Sequence, residues 1–384
     1  MIPYARQTIE DADVRAVTEV LRSDFLTQGP VVPRFEQTVA AYCGAAYGVA
    51  VSNATSALHV AAAALGLGPG GLLWTSPISF VASANCALYC GARVDFVDID
   101  PRTYNIGVEA LERKLEAAEQ AGRLPDAIVI VDFAGQPCDL ERIAALRDRY
   151  GFWIVEDASH AVGARYRGAH VGNGRFADVT VFSFHPVKII TTAEGGMALT
   201  NDASFSERMR LLRSHGVTRE TRLMTRADRS AWEYEQIALG FNYRMTEIQA
   251  ALGITQMDRI RAFLTRRREI AARYDRELKG LPLVTPFQLD GVESAYHLYP
   301  VQVTEDAPLD REHLFTALRE RGVAANVHYM PIYLQPFYRE LGFEPGHCPN
   351  AERYYARALS LPMYAGLTDD EQTCVIAALR EALG

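Results

Sequence analysis

At 384 residues, 49% apolar and 22% charged, the chain can bury a large core and has the make-up of an ordinary globular protein, with two domains or one large and one small. The balance of 39 basic against 47 acidic residues gives a net charge of -8, and the one basic run, Arg266-Arg267-Arg268, sits in a helical pattern, which argues against a nucleic-acid partner. No stretch approaches a membrane span, no basic-then-apolar leader opens the chain, and the six cysteines (43, 86, 90, 138, 348 and 374) lack CxxC or metal-ligand spacing, so reduced thiols in a cytoplasmic protein are expected.

Residues 10–21 have helical spacing, with Val14, Val17, Val20 and Leu21 on one face. The stretch Ser23-Asp-Phe-Leu-Thr-Gln-Gly-Pro30 breaks that pattern and is either a plain connector or a loop that touches a ligand. Residues 47–52 read as a strand, and Asn53-Ala-Thr-Ser-Ala57 opens an alanine-rich helix that stops at Gly66. A strand turning directly into a helix N-terminus can bind phosphate through free backbone N–H groups, with hydroxyls from Thr55 and Ser56; ordinary capping is the competing reading. Strands at 72–76, 93–98, 127–133 and 152–156 then alternate with helices at 80–89, 108–119 and 140–150. That is the pattern of a mostly parallel α/β sheet covered by helices on both faces.

Ligands of such sheets sit beyond the carboxyl ends of the strands, which draws attention to Phe80, Asp157, His160, Ser183 and Lys188. Phe80 is either core or a ring that stacks on a ligand. Asp157 either caps the following helix or pairs with a protonated heterocyclic nitrogen. His160 is either structural or covers the same ring. A strand at 179–184 ends in a polar loop that carries Lys188, and a second strand follows at 197–200. A lysine held between two apolar strands is either solvated or has a lowered pKa and serves as an amine nucleophile.

Beyond residue 200 the spacing predicts a helix at 203–214, then a connector with arginines at 219, 222, 226 and 229, and a fifth at 244. Gly240-Phe-Asn-Tyr-Arg-Met245 leads into one long helix, 246–278, that bridges a large domain (1–250) and a smaller one (251–384). Strands at 297–303 and 323–328 and helices at 311–322, 354–359 and 369–383 complete the expectation.

Taken together and in order, six motifs carry a resemblance that runs nearly end to end: Leu26-Thr-Gln-Gly29, Asn53-Ala-Thr-Ser-Ala57, Glu156-Asp-Ala-Ser-His-Ala161, Ser183-Phe-His-Pro-Val-Lys188 with Glu194-Gly-Gly196, Gly240-Phe-Asn-Tyr-Arg244, and His328-Tyr-Met-Pro331. The chain resembles the DegT/DnrJ/StrS nucleotide-sugar aminotransferases, pyridoxal 5'-phosphate enzymes that cycle through pyridoxamine 5'-phosphate. The resemblance implies the aspartate-aminotransferase fold (type I), with a mostly parallel mixed sheet between helices and a smaller C-terminal α+β domain. It also implies that Lys188 is the Schiff-base lysine and that Asp157 pairs with the ring nitrogen. Ala54, Thr55, Ser56 and Ser183 would cradle the phosphate, Phe80 would stack on the ring, and His160 would stand where many relatives carry Gln. Asn242 would reach the phosphate of a neighbouring subunit, which implies a homodimer with shared active sites.

Within the family the chain is similar to the branch that aminates a UDP-linked 4-keto sugar for pseudaminic acid. Tyr4, Ser23-Asp-Phe-Leu-Thr-Gln28, Thr75-Ser-Pro-Ile-Ser-Phe-Val81, His160 and Val327-His-Tyr-Met-Pro-Ile-Tyr333 carry that likeness. It implies substrate contacts from Tyr4, Asp24, Phe25, Leu26, Thr27, Ala54, Ser183, Asn242, Val327, His328, Tyr329 and Met330. Two departures are His-Pro-Val before Lys188, and Met330 in a loop that often carries a basic residue. The reaction implied takes the amino group of L-glutamate, releases 2-oxoglutarate, and delivers the group to C4 of the sugar. The alternatives are a perosamine- or bacillosamine-type 4-keto sugar, or a catalytically silent binding protein; Lys188 argues against the 3-dehydratase branch, which has histidine there.

Overall fold

Seven strands form the central sheet of the computed structural model, which describes residues 1–226 and 230–384; Arg229 of the arginine-rich connector lies outside them. Two helices, α1 (Asp11–Leu21) and α2 (Val31–Cys43), precede β1 (Tyr47–Val51) and α3 (Ala54–Ala64). Then come β2 (Leu72–Thr75), α4 (Ala82–Tyr89), β3 (Arg93–Phe96), α5 (Val108–Gln120), β4 (Ala127–Val131), α6 (Leu140–Tyr150) and β5 (Trp153–Asp157). A small hairpin, β6 (Arg165–Tyr166) and β7 (Ala169–His170), leads to β8 (Val179–Ser183), β9 (Gly196–Thr200) and α7 (Ala203–Arg213). The sheet order is β1-β9-β8-β5-β4-β2-β3. Its pairings are parallel except that β9 runs antiparallel to both β8 and β1.

The sequence explains the layering. Every residue of β4, Ala-Ile-Val-Ile-Val, is buried, as a central strand with helices on both faces requires. Strand alternation sends Val129, Val131, Val155, Val179 and Val181 to the face under α3, α4 and α7, while Ile128, Ile130, Ile154 and Phe182 face the other side. Helix α3 is apolar nearly all round because it is enclosed between the sheet and its neighbours α4 and α7.

Beyond the sheet, β10 (Val217–Thr218) pairs with β11 (Glu235–Gln236), followed by α8 (Glu247–Asp258) and α9 (Ile260–Glu277). The single long helix expected at 246–278 is thus two. The break falls at Arg259, whose ψ is 0° and whose guanidinium is drawn to Glu10 and Asp13. The remaining elements are β12 (Leu283–Val284), β13 (Val292–Glu293), β14 (Tyr299–Val303), α10 (Arg311–Glu320), α11 (Pro336–Glu340), α12 (Pro349–Arg357), β15 (Ala358–Leu361) and α13 (Asp369–Leu383). Strands β12, β14 and β15 pair, and their buried residues share a second core with Leu314, Leu318, Val375 and Leu379. The line drawn at 250/251 falls inside α8, whose Ala250, Ile254 and Met257 pack with Phe35 and Phe182 of the first core.

Three further expectations are corrected. Residues 31–43, assigned no element from the pattern, form α2, with Val32, Phe35, Val39 and Cys43 buried at helical spacing. Residues 323–328 are not a strand, because they make only isolated bridges, Val323 to Ile2 and Asn326 to Ser360. The helix expected at 354–359 lies earlier, as α12. Ala358 and Leu359 belong to β15 because their burial against β14 outweighs helix continuation.

Candidate active site

Parallel pairing of β5 with β8 sets Asp157 opposite Val181, so Asp157 and Ser183, two residues beyond Val181, share the face under α3 and α4. At that end of the strands lies a cavity of about 550 Å³. Ala54, Thr55, Phe80, Asp157, His160, Ser183 and Lys188 line its floor and walls, and Tyr4, Val327, His328 and Tyr329 close it from the C-terminal side. Ser56 is not on the wall: its N–H is donated to the Asn53 side chain (2.8 Å) and its hydroxyl pairs with that of Ser52 (3.1 Å). Asp24 and Phe25 line a separate groove of about 350 Å³ beside α1, α2 and α8. Leu26, Thr27, Asn242 and Met330 line neither space; the Leu26 carbonyl accepts from Glu247 N–H, and Asn242 bridges Ser214.

Asn53 caps α3 through Ser56 N–H, and Thr55, in the first turn, lines the cavity. The close approach that makes this wall requires Gly196 at the start of β9. A Cβ there would sit 2.5 Å from the Asn53 carbonyl carbon and oxygen and 2.7 Å from Ala54 N, all backbone atoms. Gly196→Ala is expected to cost about 1–3 kcal/mol of stability, by overpacking against atoms that cannot turn aside. Thermal melts with and without added pyridoxal phosphate would check this, and an unchanged melting temperature would refute it.

Two serines that the sequence reading passed over hold Asp157, and a third stands behind one of them. Ser83 Oγ donates to Asp157 Oδ2 (2.6 Å), while Ser159 donates to Oδ1 through its hydroxyl (2.6 Å) and its N–H (3.2 Å). Ser79 Oγ lies 2.7 Å behind Ser83 Oγ. Ser159 had a local signal, the Asp-x-Ser turn. Ser83 had none, since it is distant in sequence. His160 is buried, and its Nδ1 accepts from Ala134 N–H (3.3 Å). Its Nε2 therefore carries the hydrogen toward Tyr329 Oη (3.3 Å), fixing a neutral tautomer. Burial first, and then Lys188 and His328, push His160 well below its ordinary pKa. His328, tied to Ser360 Oγ (2.9 Å), is lowered to about 3 by burial and by Lys188. Lys188 Nζ has no hydrogen bond or ion pair among the described residues. Burial brings its pKa down to about 8, an effect that Asp157 opposes.

The chain matches the DegT/DnrJ/EryC1/StrS aminotransferase family over residues 7–380. It belongs to that family. Among its relatives, the spore coat polysaccharide biosynthesis protein SpsC of Bacillus subtilis is 38% identical over 99% of this chain and 96% of that one. The UDP-4-amino-4,6-dideoxy-N-acetyl-beta-L-altrosamine transaminase of Campylobacter jejuni is 37% identical over 95% of this chain and 93% of its own. Among solved structures, Helicobacter pylori PseC, an aminotransferase involved in the biosynthesis of pseudoaminic acid, superposes with a TM-score of 0.90 at 33% identity, covering 100% of this chain and 99% of that one.

This DegT-family chain is a sugar aminotransferase, and its cofactor is pyridoxal phosphate. Its cavity fits that group chemically. It offers the donor end of α3 for a phosphate, an aspartate held by three donors for a protonated ring nitrogen, and an unpaired amine for an aldehyde. Among the described residues no cluster of His, Cys, Asp or Glu could hold a metal, and no helix is long and apolar enough to cross a membrane.

Proposed function

We propose that this aminotransferase carries the amino group of L-glutamate to C4 of a UDP-linked 4-keto-6-deoxy-N-acetylhexosamine, giving UDP-4-amino-4,6-dideoxy-N-acetyl-β-L-altrosamine for pseudaminic acid. The observation that carries the catalytic half is the unpaired Lys188 amine at a cavity wall shared with Asp157. The choice of sugar is supported by the transaminase and PseC relatives, each similar over nearly the whole chain.

When bound, pyridoxal phosphate supplies the aldehyde that accepts an amino group and a ring that withdraws electrons from it. Lys188 is the residue that anchors it covalently, and once freed its amine holds and moves the proton at the carbon beside the nitrogen. A pKa lowered to about 8 leaves far more of that amine unprotonated near neutral pH than an ordinary lysine would have. Asp157 keeps the ring nitrogen protonated. Thr55 and the α3 N-terminus bind the phosphate together with Ala54 N–H and Ser183, and Phe80 and His160 bound the ring. Tyr4 and Val327, His328 and Tyr329 orient the sugar.

Asn242 would reach the phosphate of a second copy in a homodimer with shared active sites, and Asp24, Phe25, Leu26, Thr27 and Met330 would contact the sugar nucleotide there. Support comes from apolar side chains left at the surface: Trp232 is 77% exposed and Leu239 83%. All six cysteines are free thiols, which suits a cytoplasmic enzyme.

A second reading, another nucleotide-linked 4-keto sugar of the perosamine or bacillosamine type, stays open because a spore coat polysaccharide biosynthesis protein, SpsC, is as similar at 38% identity as the altrosamine transaminase at 37%. The deciding assay offers UDP-, dTDP- and GDP-linked 4-keto sugars side by side with glutamate. The expected outcome is kcat/KM for the UDP N-acetyl sugar at least about 100-fold above the rest, a floor below the roughly 10⁴-fold that a site hydrogen-bonded to its substrate can reach. Faster turnover of any other sugar would establish the second reading. A visible cofactor band unmoved by glutamate would instead mean a binding protein.

A further inference from the structure

Directly behind the cavity wall lies a pair of carboxyl groups that the reaction does not use. Glu156 stands opposite Ile130 across β5 and β4, and Asp132 lies two residues past Ile130, so both side chains fall on the face turned away from the cavity. Asp132 is fully buried and Glu156 is 2% exposed. One oxygen of each has a donor: Asp132 Oδ1 accepts from Cys138 N–H (2.9 Å) and Glu156 Oε2 from Thr180 Oγ1 (2.7 Å). The other two oxygens, Asp132 Oδ2 and Glu156 Oε1, accept from no donor among the described residues; the two carboxyl groups neighbour each other, with Gly172 N–H beside Glu156 and the Cys138 thiol beside Asp132. No lysine, arginine or histidine forms an ion pair with either group among the described residues. The titratable groups facing them are the thiols of Cys43 on α2 and Cys138 in the turn before α6, both kept neutral by burial.

Two buried like charges without a cation would repel at short range in a poorly polarisable interior, whereas one proton between the free oxygens satisfies both. We propose that Asp132 and Glu156 act as one acid pair sharing a single proton, and that this pair positions the strand end that carries Asp157. The link to that strand end is direct, since Glu156 precedes Asp157 and Asp132 N–H donates to the Asp157 carbonyl (3.2 Å). Burial raises Glu156 to about 7 and Asp132 well above its ordinary value. A carboxyl whose folded-state pKa is raised stabilises the fold at low pH, and that stability is lost as pH climbs through the folded value. The step near 7 takes the pair from two protons to one, so the shared proton leaves, and the pair loosens, only as the pH climbs above that.

The positioning half rests on the proposed role of Asp157; the shared proton does not, and the measurements separate them. The full-length holoenzyme is compared with Asp132→Asn and Glu156→Gln, in which an amide donates the hydrogen that the proton supplied. Infrared spectra at neutral pH are expected to show a protonated-carboxyl carbonyl band in the wild type that both variants lose. Melting temperatures from about pH 5 to about pH 9 are expected to fall more steeply for the wild type than for either variant. A missing band in the wild type, or parallel melting profiles, would overturn the shared proton. For positioning, Asp132→Ala is expected to weaken cofactor retention at least about ten-fold, with Asp132→Asn restoring it to within about three-fold of wild type. Retention by Asp132→Ala equal to wild type would overturn positioning, as would Asp132→Asn failing as badly as Asp132→Ala.

Discussion

Lys188→Ala is expected to lower turnover by at least about 10⁴-fold, because it removes both the covalent anchor and the proton carrier. The loss should appear in kcat and in single-turnover reaction with glutamate alike, since no neighbour can replace the amine. His160 and His328, which line the same cavity, are held neutral by burial, His328 with a pKa of about 3, and both already have hydrogen-bond partners. Borohydride reduction of holoenzyme should fix the cofactor to the peptide containing Lys188 in the wild type and to nothing in the variant. The fold should survive, because Nζ contributes no hydrogen bond or ion pair among the described residues to hold it. Wild-type turnover in the variant would sink the assignment. The same lowered pKa gives a sign for pH: covalent attachment of pyridoxal phosphate to apoenzyme should quicken as pH rises toward about 8 and level off above it.

Asp157→Asn is expected to cost about 10²–10³-fold in kcat, the scale of removing one fixed charge from a low-dielectric site. The amide keeps the size of the carboxylate, and its oxygen can still accept from Ser83 or Ser159, so the loss should reflect charge rather than collapse. Asp157→Ala should lose as much or more, and should also leave the Ser79–Ser83 pair without its acceptor. Comparing the absorbance spectra of the two variants across pH would separate a misplaced ring from a deprotonated one. An Asn variant with wild-type kcat and spectrum would show that the ring nitrogen needs no anion.

The bed of the site was readable because its parts lie at strand ends. The apolar runs before Asp157 and Ser183 and the alanine-rich helix after Asn53 are local signals, and sheet alternation does the rest. The start of α13 was readable for the same reason, since Thr368 and Glu371 form a capping box that is visible in sequence. What escaped was set by distant contacts. The break at Arg259 depends on Glu10 and Asp13, the Ser83 tie to Asp157 crosses from α4 to β5, and the 323–328 stretch misses being a strand for want of a continuous partner. None of these leaves a mark on the local pattern.

The reversed direction of β9 has a consequence for how damage spreads. Every other step between neighbouring parallel strands of the sheet needs a crossover, but β8 and β9 are joined by the loop that carries Lys188, closed on itself from Ser183 to Gly196. The amine is thus presented by a short local noose, while the α3 terminus and Asp157 are brought in by long excursions of the chain. A lesion in a crossover helix would shift the bed and leave the hook in place; a lesion in the noose would do the reverse.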